Sequence, residues 1–146
     1  MRPRPEEFER LLRKLGVCQD EHLVIAGRAA NVKLVGRDTR ADSISRAIAR
    51  DRSKLFVRAR LVGHHERSQG HLDCRGMVVS SEAEIHSIPE LDSEHAPRAR
   101  LSHDVAVGPI DEEAIAYLIT RGVDPDEATA ILTRGFLEEH SEVFAS

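Results

Sequence analysis

The segment between residues 22 and 107 consists of short β-like runs with no ten-residue apolar helix between them. The clearest run is Leu55–Val62, in which apolar residues alternate with Arg58 and Arg60, and a period of two predicts a half-buried strand. The other runs are Leu23–Ala26, Val32–Val35, Leu72–Ser80, Ala83–Ile88 and Arg100–Val107, while Asp42–Arg50 could form a short turn of helix. Many short strands without crossover helices predict a sandwich, a barrel or a β-solenoid.

Helical patterns flank the β-like segment on both sides. Residues Pro5–Gly16 predict one amphipathic helix, because an apolar stripe runs between an early proline and a terminal glycine. Residues Ile110–Gly122 predict a second helix, with acidic residues in its first turn and a C-cap glycine. A third helix begins at Asp124, a natural N-cap, followed by Pro125 in the first helical position.

Composition narrows the class of protein. With 146 residues, 40% hydrophobic and 32% charged, the chain is long enough for one domain with its own core. A net charge of −4 and 3% aromatic residues argue against nucleic acid as the main partner. No apolar run approaches the roughly 20 residues of a membrane span, and the first residues lack a signal-peptide core. We therefore expect neither a nucleic-acid nor a membrane partner.

The two cysteines, Cys18 and Cys74, lie far apart in the sequence. They fit free thiols in a reducing cytosol better than a disulfide framework, so a cytoplasmic location is expected. Cys18 has no clustered partner and is interpreted as a buried or incidental thiol. Cys74 alone would most often be a small buried hydrophobe.

Several motifs occur in a fixed order in the second half of the chain. The segment Gly70–Met77 reads GHLDCRGM and is followed by Ile88–Leu91, reading IPEL. The segment Ala99–Phe136 then reads ARLSHDVAVGPIDEEAIAYLITRGVDPDEATAILTRGF. Together these motifs resemble the core domain of the SufB/SufD family, the scaffold proteins of iron–sulfur cluster assembly. The resemblance covers residues 55–136 well and the earlier part only loosely.

The resemblance implies a right-handed β-helix that serves as a non-enzymatic scaffold, working with a separate ABC-type ATPase subunit of the SufC kind. It implies one domain over residues 1–146: an N-terminal helix (1–18), a β-helix core (19–108) and a C-terminal helical pair (109–146). Compared with full-length family members, the chain has few rungs and lacks the large N-terminal domain. Because a short solenoid leaves open strand edges, we expect a homodimer or pairing with a longer SufB/SufD-like chain.

The resemblance also identifies candidate residues for a transient iron–sulfur cluster, namely Cys74, His103 and Asp104. A thiolate is the soft ligand that iron–sulfur chemistry needs, and imidazole serves as a second ligand in mixed clusters. The partner-binding candidates lie in the helical pair that docks the ATPase in this family. They are Tyr117, Leu118, Arg121, Arg134 and Phe136. With Ile119 and Leu137, these helices carry more apolar groups than one narrow solenoid end can cover.

Other interpretations of the sequence remain open. The histidines at positions 64, 65 and 71 could gather a metal, but a polar turn explains them equally well. The chain could be a reduced structural module that binds the ATPase without a cluster, or, less favoured, a Cys/His enzyme. Cys74, His103 and Asp104 do not read as a hydrolase triad, because adjacent residues of a strand point to opposite faces. The sequence also contains neither a P-loop nor a nucleophile-elbow motif.

Overall fold

The computed structural model of the chain describes residues 25–93 and 98–139, with side chains from Ala30 onward. The described residues form six strands followed by two helices. The strands are β1 (Ile25–Leu34), β2 (Arg40–Ala49), β3 (Lys54–Gly63), β4 (Gln69–Val78), β5 (Glu84–Asp92) and β6 (Arg100–Pro109), and the helices are α1 (Glu112–Thr120) and α2 (Pro125–Glu138). The predicted N-terminal helix and Cys18 lie outside the described residues.

Consecutive strands alternate between two parallel sheets. Sheet A has the order β1-β3-β5, and sheet B has the order β2-β4-β6. The strands begin at residues 25, 40, 54, 69, 84 and 100, so a new strand starts every 14 to 16 residues. The predicted class, mainly β with a C-terminal helical pair, is confirmed. The right-handed coil implied by the resemblance stays a prediction.

Four-residue turns carry the chain from one sheet to the other. In the turns 50–53, 65–68 and 80–83, the backbone N–H of the fourth residue donates to the carbonyl of the first, at 3.0 to 3.1 Å. Adjacent turns are also joined to each other, since the N–H of Asp51 donates to Ser80 Oγ at 2.8 Å. Similar turns at similar intervals stack the strands in register.

The core lies between the inner faces of the two sheets. Its central cluster consists of Leu34, Ala59, Leu61, Leu72 and Cys74, all buried. The space is narrow: a Cβ added to Gly70 would lie 2.6 Å from a methyl of Leu61, closer than real side chains approach. A side chain at position 70 would therefore force the sheets apart.

One sequence expectation, that for the segment Asp42–Arg50, is wrong. The segment was expected to allow a short turn of helix, but residues 40–49 form strand β2, paired with β4 along its whole length from Arg40–Gln69 to Ala49–Val78. The reason is tertiary: ten residues of parallel pairing outweigh a weak local preference. The inward positions of β2 carry small residues such as Ser45, which suits the narrow core.

Ion pairs on the outer face of sheet A join β5 to β3. Lys54 Nζ lies 2.8 Å from Glu84, and Arg58 lies 2.6 Å from Glu90. Arg60 forms a third pair, with Asp92, at 2.5 Å. Each pair is at least partly exposed and adds little stability alone, but opposite charges on facing strands favour this pairing over others.

Both helices begin where their sequences predict, and α1 ends just before its predicted C-cap glycine. Asp111 caps α1 by accepting a hydrogen bond from the N–H of Ala114 at 3.0 Å, and Gly122 follows with a φ of +87°, which favours glycine. Asp124 caps α2, with Pro125 as its first residue. The helix α2 packs on β2, whereas α1 packs mainly on α2. Neither of the helices in the described part of the chain has the length and apolarity of a membrane span.

Candidate site on strands β4 and β6

Cys74 lies at the middle of β4 with its side chain in the core. The residue is 3% exposed, and Ser87 of the facing strand β5 lines the gap beside its thiol. The gap beside it has no room for a water molecule and is lined by Ser45, Ala47, Val57, Cys74, Arg75, Gly76, Ile85, Ser87 and Val107. In this state the thiol is shielded from solvent.

The surroundings of Cys74 also oppose ionisation. Burial raises the pKa of the Cys74 thiol, and the nearby Asp73 carboxylate raises it further. The Arg46 charge and the hydrogen bond with Ser87 act in the opposite direction without reversing the shift. Since the thiolate is the form that binds iron, Cys74 needs exposure or a cation before it can act as a ligand.

His103 lies on β6, the strand next to Cys74, but not directly opposite it. The two residues are 29 positions apart in sequence, whereas the register between β4 and β6 pairs residues 31 positions apart, such as Cys74 with Val105. His103 therefore pairs with Leu72 and is a diagonal neighbour of Cys74, with Cα atoms roughly 8 Å apart by strand geometry. Register partners share a face, so His103 and Cys74 lie on the same face of sheet B, and His103 is exposed.

Asp104 lies on the opposite face of sheet B. It contacts His71, whose Nε2 lies 3.6 Å from Asp104 Oδ2, while His71 Nδ1 is 2.8 Å from Ser102 Oγ. The structure thus separates the three cluster candidates into an inner pair, Cys74 and His103, and an outer carboxylate. As strand alternation predicts, Asp104 is not placed to orient His103.

An ion network lies on the outer face of β4, where Asp73 and Arg75 flank Cys74, and its Arg46–Asp73 pair is buried. Arg46 Nη2 donates to Asp73 Oδ2 at 2.9 Å, and Arg75 Nε donates to Asp73 Oδ1 at 3.2 Å. Both side chains of the Arg46–Asp73 pair are about nine-tenths buried, at 7% and 11% exposure. Arg46 Nε has no hydrogen-bond acceptor within the described residues, and Glu139 Oε2 lies 4.0 Å from it.

The same network seats the end of α2 on sheet B. Glu139, at the C-terminal cap of α2, approaches Arg75 Nη1 at 3.6 Å, and the Arg46 guanidinium lies 5.9 Å from the centre of the Phe136 ring. Phe136, a partner-binding candidate, is therefore half-buried against the sheet. The pKa of Asp73 lies below its ordinary value: burial would raise it, but the hydrogen bonds and charges of Arg46 and Arg75 outweigh burial.

Of the remaining partner-binding candidates, Tyr117, Arg121 and Arg134 are exposed on the helical pair, whereas Leu118 is not. Tyr117 is 55% exposed, and the Arg121 guanidinium lies 4.6 Å from its ring centre. Leu118 is half-buried and Arg134 is exposed. Ile119 and Leu137 are also exposed. We call the exposed apolar residues of the helical pair, Tyr117, Ile119 and Leu137, the apolar helix surface. Tyr117 and Ile119 are two positions apart in α1 and therefore lie on different sides of that helix.

The other histidines do not form a cluster. His64 and His65 lie in the turn between β3 and β4, whereas His71 lies within β4 and contacts Ser102. Across residues 25–93 and 98–139, no three His, Cys, Asp or Glu side chains are grouped so that they could hold a metal ion. The inner pair of Cys74 and His103 therefore supplies only part of a ligand set.

Sequence reasoning missed three kinds of residue around Cys74. These are Ser87, which lines the gap beside the thiol, the buried pair of Arg46 and Asp73, and the register partner Val105. The strand starts at intervals of 14 to 16 residues are the signal that could have found them. Aligned on that repeat, Ser45, Cys74 and Val105 fall in one row across sheet B.

The chain is similar to known proteins of one family. The family model described as "SUF system FeS cluster assembly, SufBD core domain" matches residues 15–136. An iron–sulfur cluster assembly SufBD family protein of Methanothermobacter thermautotrophicus is 40% identical over 123 residues, 84% of this chain and 29% of that protein. Another, of Archaeoglobus fulgidus, is 41% identical over 105 residues, 72% of this chain and 28% of that protein.

The chain belongs to the SufBD family. More distant relatives include a SufBD family protein of Staphylococcus saprophyticus, 25% identical over 114 residues, 75% of this chain and 24% of that protein. The chain spans about three tenths of the length of the two archaeal relatives. The match includes all six described strands and nearly all of the helical pair, so the family relation covers Cys74, His103 and the apolar helix surface except Leu137.

We predict that Asp73→Asn lowers the free energy of unfolding by about 3 kcal/mol at pH 7, because Arg46 is left buried without its counter-charge. The folded pKa of Asp73 is depressed, so its contribution is full above the unfolded pKa of about 4 and is lost as pH falls through the folded value. The difference between parent and variant should therefore shrink in urea titrations below about pH 4.

Glu82→Gln is the matched control, because Glu82 forms an exposed pair with Arg52 at 3.5 Å. It should change stability by about 0.5 kcal/mol or less at either pH. Equal stability of the Asp73→Asn variant and the parent at pH 7 would show that the network does not hold the fold.

Proposed function

We propose that the chain is an iron–sulfur cluster assembly scaffold or accessory protein of the SUF type, working with an ABC-type ATPase. The observation that carries this proposal is the placement of Cys74 and His103 on one face of neighbouring strands. Membership of the SufBD family supports the role, and the soft thiolate with a borderline imidazole supports the metal. The nascent cluster is cargo, which the scaffold holds and passes on.

The alternating sheets support the right-handed β-helix. In each sheet a strand is followed by a crossover through the other sheet and then by a parallel neighbour, as from β1 through β2 to β3. Such crossovers are right-handed in about 98% of cases. A left-handed coil in a crystal structure would contradict this part of the proposal.

A second copy would complete both the fold and the site. Strands β5 and β6 end the two sheets on the same side, and we call this side the β5/β6 edge. It leaves Leu91, Val105 and Val107 partly exposed, at 37%, 42% and 43%. Pairing two such edges about a two-fold axis would cover these residues and bring two sets of Cys74 and His103 together. A longer SufB/SufD-like chain could take the same place.

The apolar helix surface is the proposed docking site for the ATPase subunit. Its members Tyr117, Ile119 and Leu137 are all at least 41% exposed, and Arg121 stacks on Tyr117 at one side. Aromatic and arginine side chains commonly anchor protein interfaces. The ion network of Arg46, Asp73, Arg75 and Glu139 ties the end of α2 to sheet B and so keeps the helical pair in place.

The burial of Cys74 favours a second candidate function. A shielded thiol with a raised pKa, in a described region without a three-ligand group, suits a structural module that binds the ATPase without carrying a cluster. The two functions differ in one measurable property, the dependence of cluster assembly on Cys74.

Anaerobic reconstitution with iron and sulfide should give visible absorption that Cys74→Ser abolishes. A hydroxyl is nearly the size of a thiol but a poor ligand for iron, so the fold should survive, as circular dichroism will show. Cys18→Ser is the matched control and should reconstitute like the parent. His103→Ala should weaken or alter the spectrum less severely, because solvent or a small thiol can replace imidazole. Equal iron and sulfide contents in Cys74→Ser and parent would leave only the structural module.

Self-association should depend on the β5/β6 edge. Sedimentation of the parent at micromolar concentrations should show a dimer, and Leu91→Asp should shift it to a monomer because the charge would be buried at the interface. Val35→Asp adds the same charge at a 71% exposed position in the turn after β1 and should leave the dimer intact. A monomeric parent across this range would rule out the homodimer.

Docking of the ATPase should depend on the apolar helix surface. Tyr117→Glu should weaken binding of the cognate SufC-like ATPase in a pull-down by tenfold or more, about 1.4 kcal/mol, since it places a charge among apolar anchors. Circular dichroism should show unchanged helix content. Val35→Glu, the same kind of change on a distant turn, should bind like the parent. Parental affinity of a folded Tyr117→Glu variant would show that the ATPase docks elsewhere.

A further inference from the structure

Cys74 lies one strand away from the β5/β6 edge. In sheet B its strand β4 is central, and β6 is the last strand of the described sheet. The residue of β6 directly opposite Cys74 is Val105. Because register partners in a parallel sheet share a face and lie about 4.8 Å apart, the Val105 side chain covers the Cys74 thiol from the edge side.

The other sides of Cys74 are closed more deeply. Along its own strand and face, Leu72 is 1% exposed, and a Cβ added to Gly76 would lie 2.9 Å from Ile85. Across the core, Ser87 lines the gap beside the thiol and Val57 is buried. Toward β2, which also ends sheet B, the row continues to Ser45, which is half-buried, whereas Val105 on β6 is exposed. Within the described residues, the side of Cys74 that faces β6 is therefore more open than the side that faces β2.

Val105 itself is open to solvent. Its residue is 42% exposed, whereas Cys74, one strand further in, is 3% exposed. Val105 has no polar atoms in its side chain and makes no contact with the outer ion network, which lies on the other face of β4. Its isopropyl group, directly opposite Cys74, lies between solvent and the thiol together with Val107, which lines the gap beside Cys74 and is 43% exposed.

We propose that Val105 controls access to Cys74 from the β5/β6 edge, so that the size of the side chain at position 105 sets how fast a small solute reaches the thiol. The importance of this control for cluster assembly rests on the proposed function, but access itself does not. Iron, sulfide or a small thiol would enter by the same route. Val105 is a positioning and shielding residue and not a ligand.

The test is the rate at which iodoacetamide alkylates Cys74, followed by mass spectrometry in a Cys18→Ser background. The protein is kept at a concentration where sedimentation shows a monomer. Val105→Ala should raise the rate by roughly fivefold or more, because the gap it leaves admits the reagent, and Val105→Ile should lower it. Leu91→Ala, a matched truncation at the same edge away from Cys74, should leave the rate within about twofold of the parent.

Urea distinguishes entry of the reagent past residue 105 in the folded protein from entry that requires unfolding. If the reagent enters past residue 105 in the folded protein, the rate for Val105→Ala stays constant at urea concentrations below the unfolding transition. If entry requires unfolding, the rate rises with urea in parallel with the loss of stability. A flat urea response with the order Ala, Val, Ile supports the proposal. A rate that follows stability, or equal rates for all three residues, overturns it.

Failure of the access proposal and failure of the proposed function give different results. The alkylation rates need no cluster, and the Cys74→Ser reconstitution needs no change at position 105. A Val105-dependent rate together with Cys74-independent reconstitution would keep the access route and remove the scaffold role. Cys74-dependent reconstitution with rates insensitive to position 105 would keep the scaffold and place the route elsewhere.

Discussion

The parallel register between β4 and β6 is the constraint on which the site depends. It pairs residues 31 positions apart, so Val105 stands opposite Cys74 and His103 stands one row away. A shift of one residue would turn His103 away from the core face and bring Asp104 toward it. The register is held by backbone ladders and by the stacked turns, not by the candidate ligands themselves.

Strand β4 serves two purposes because its two faces are chemically different. Inward, Cys74 is held among apolar residues, with Ser87 beside it. Outward, the flanking residues Asp73 and Arg75 join Arg46 and the end of α2 in an ion network whose Arg46–Asp73 pair is buried. One strand therefore carries the candidate ligand on one face and the support of the helical pair on the other.

Local signals in the sequence were sufficient for the elements with strong periodicity or caps. The alternation around Arg58 and Arg60 predicted β3, and Asp124 with Pro125 predicted the start of α2. The expected turn of helix at Asp42–Arg50 was wrong, because β2 has small and polar inward residues and is fixed by its pairing with β4. The class of fold was open from spacing alone, and the resemblance to the SufB/SufD family narrowed it.

The candidate site was predictable only in part. Alternation along one strand placed Asp104 opposite to His103, since that relation is local. The roles of Ser87, Arg46 and Val105 depend on contacts over 13 to 31 positions, which follow from register and not from any short motif.

The central claim is that Cys74 and His103 bind one cluster together. Pulsed electron paramagnetic resonance of the reconstituted, reduced protein with ¹⁵N-labelled histidine tests it most directly. The account predicts a nitrogen hyperfine coupling that disappears in His103→Ala and persists in His71→Ala, whose ring lies on the outer face with Ser102. A cluster signal without nitrogen coupling, or with a coupling that survives His103→Ala, would contradict the shared site.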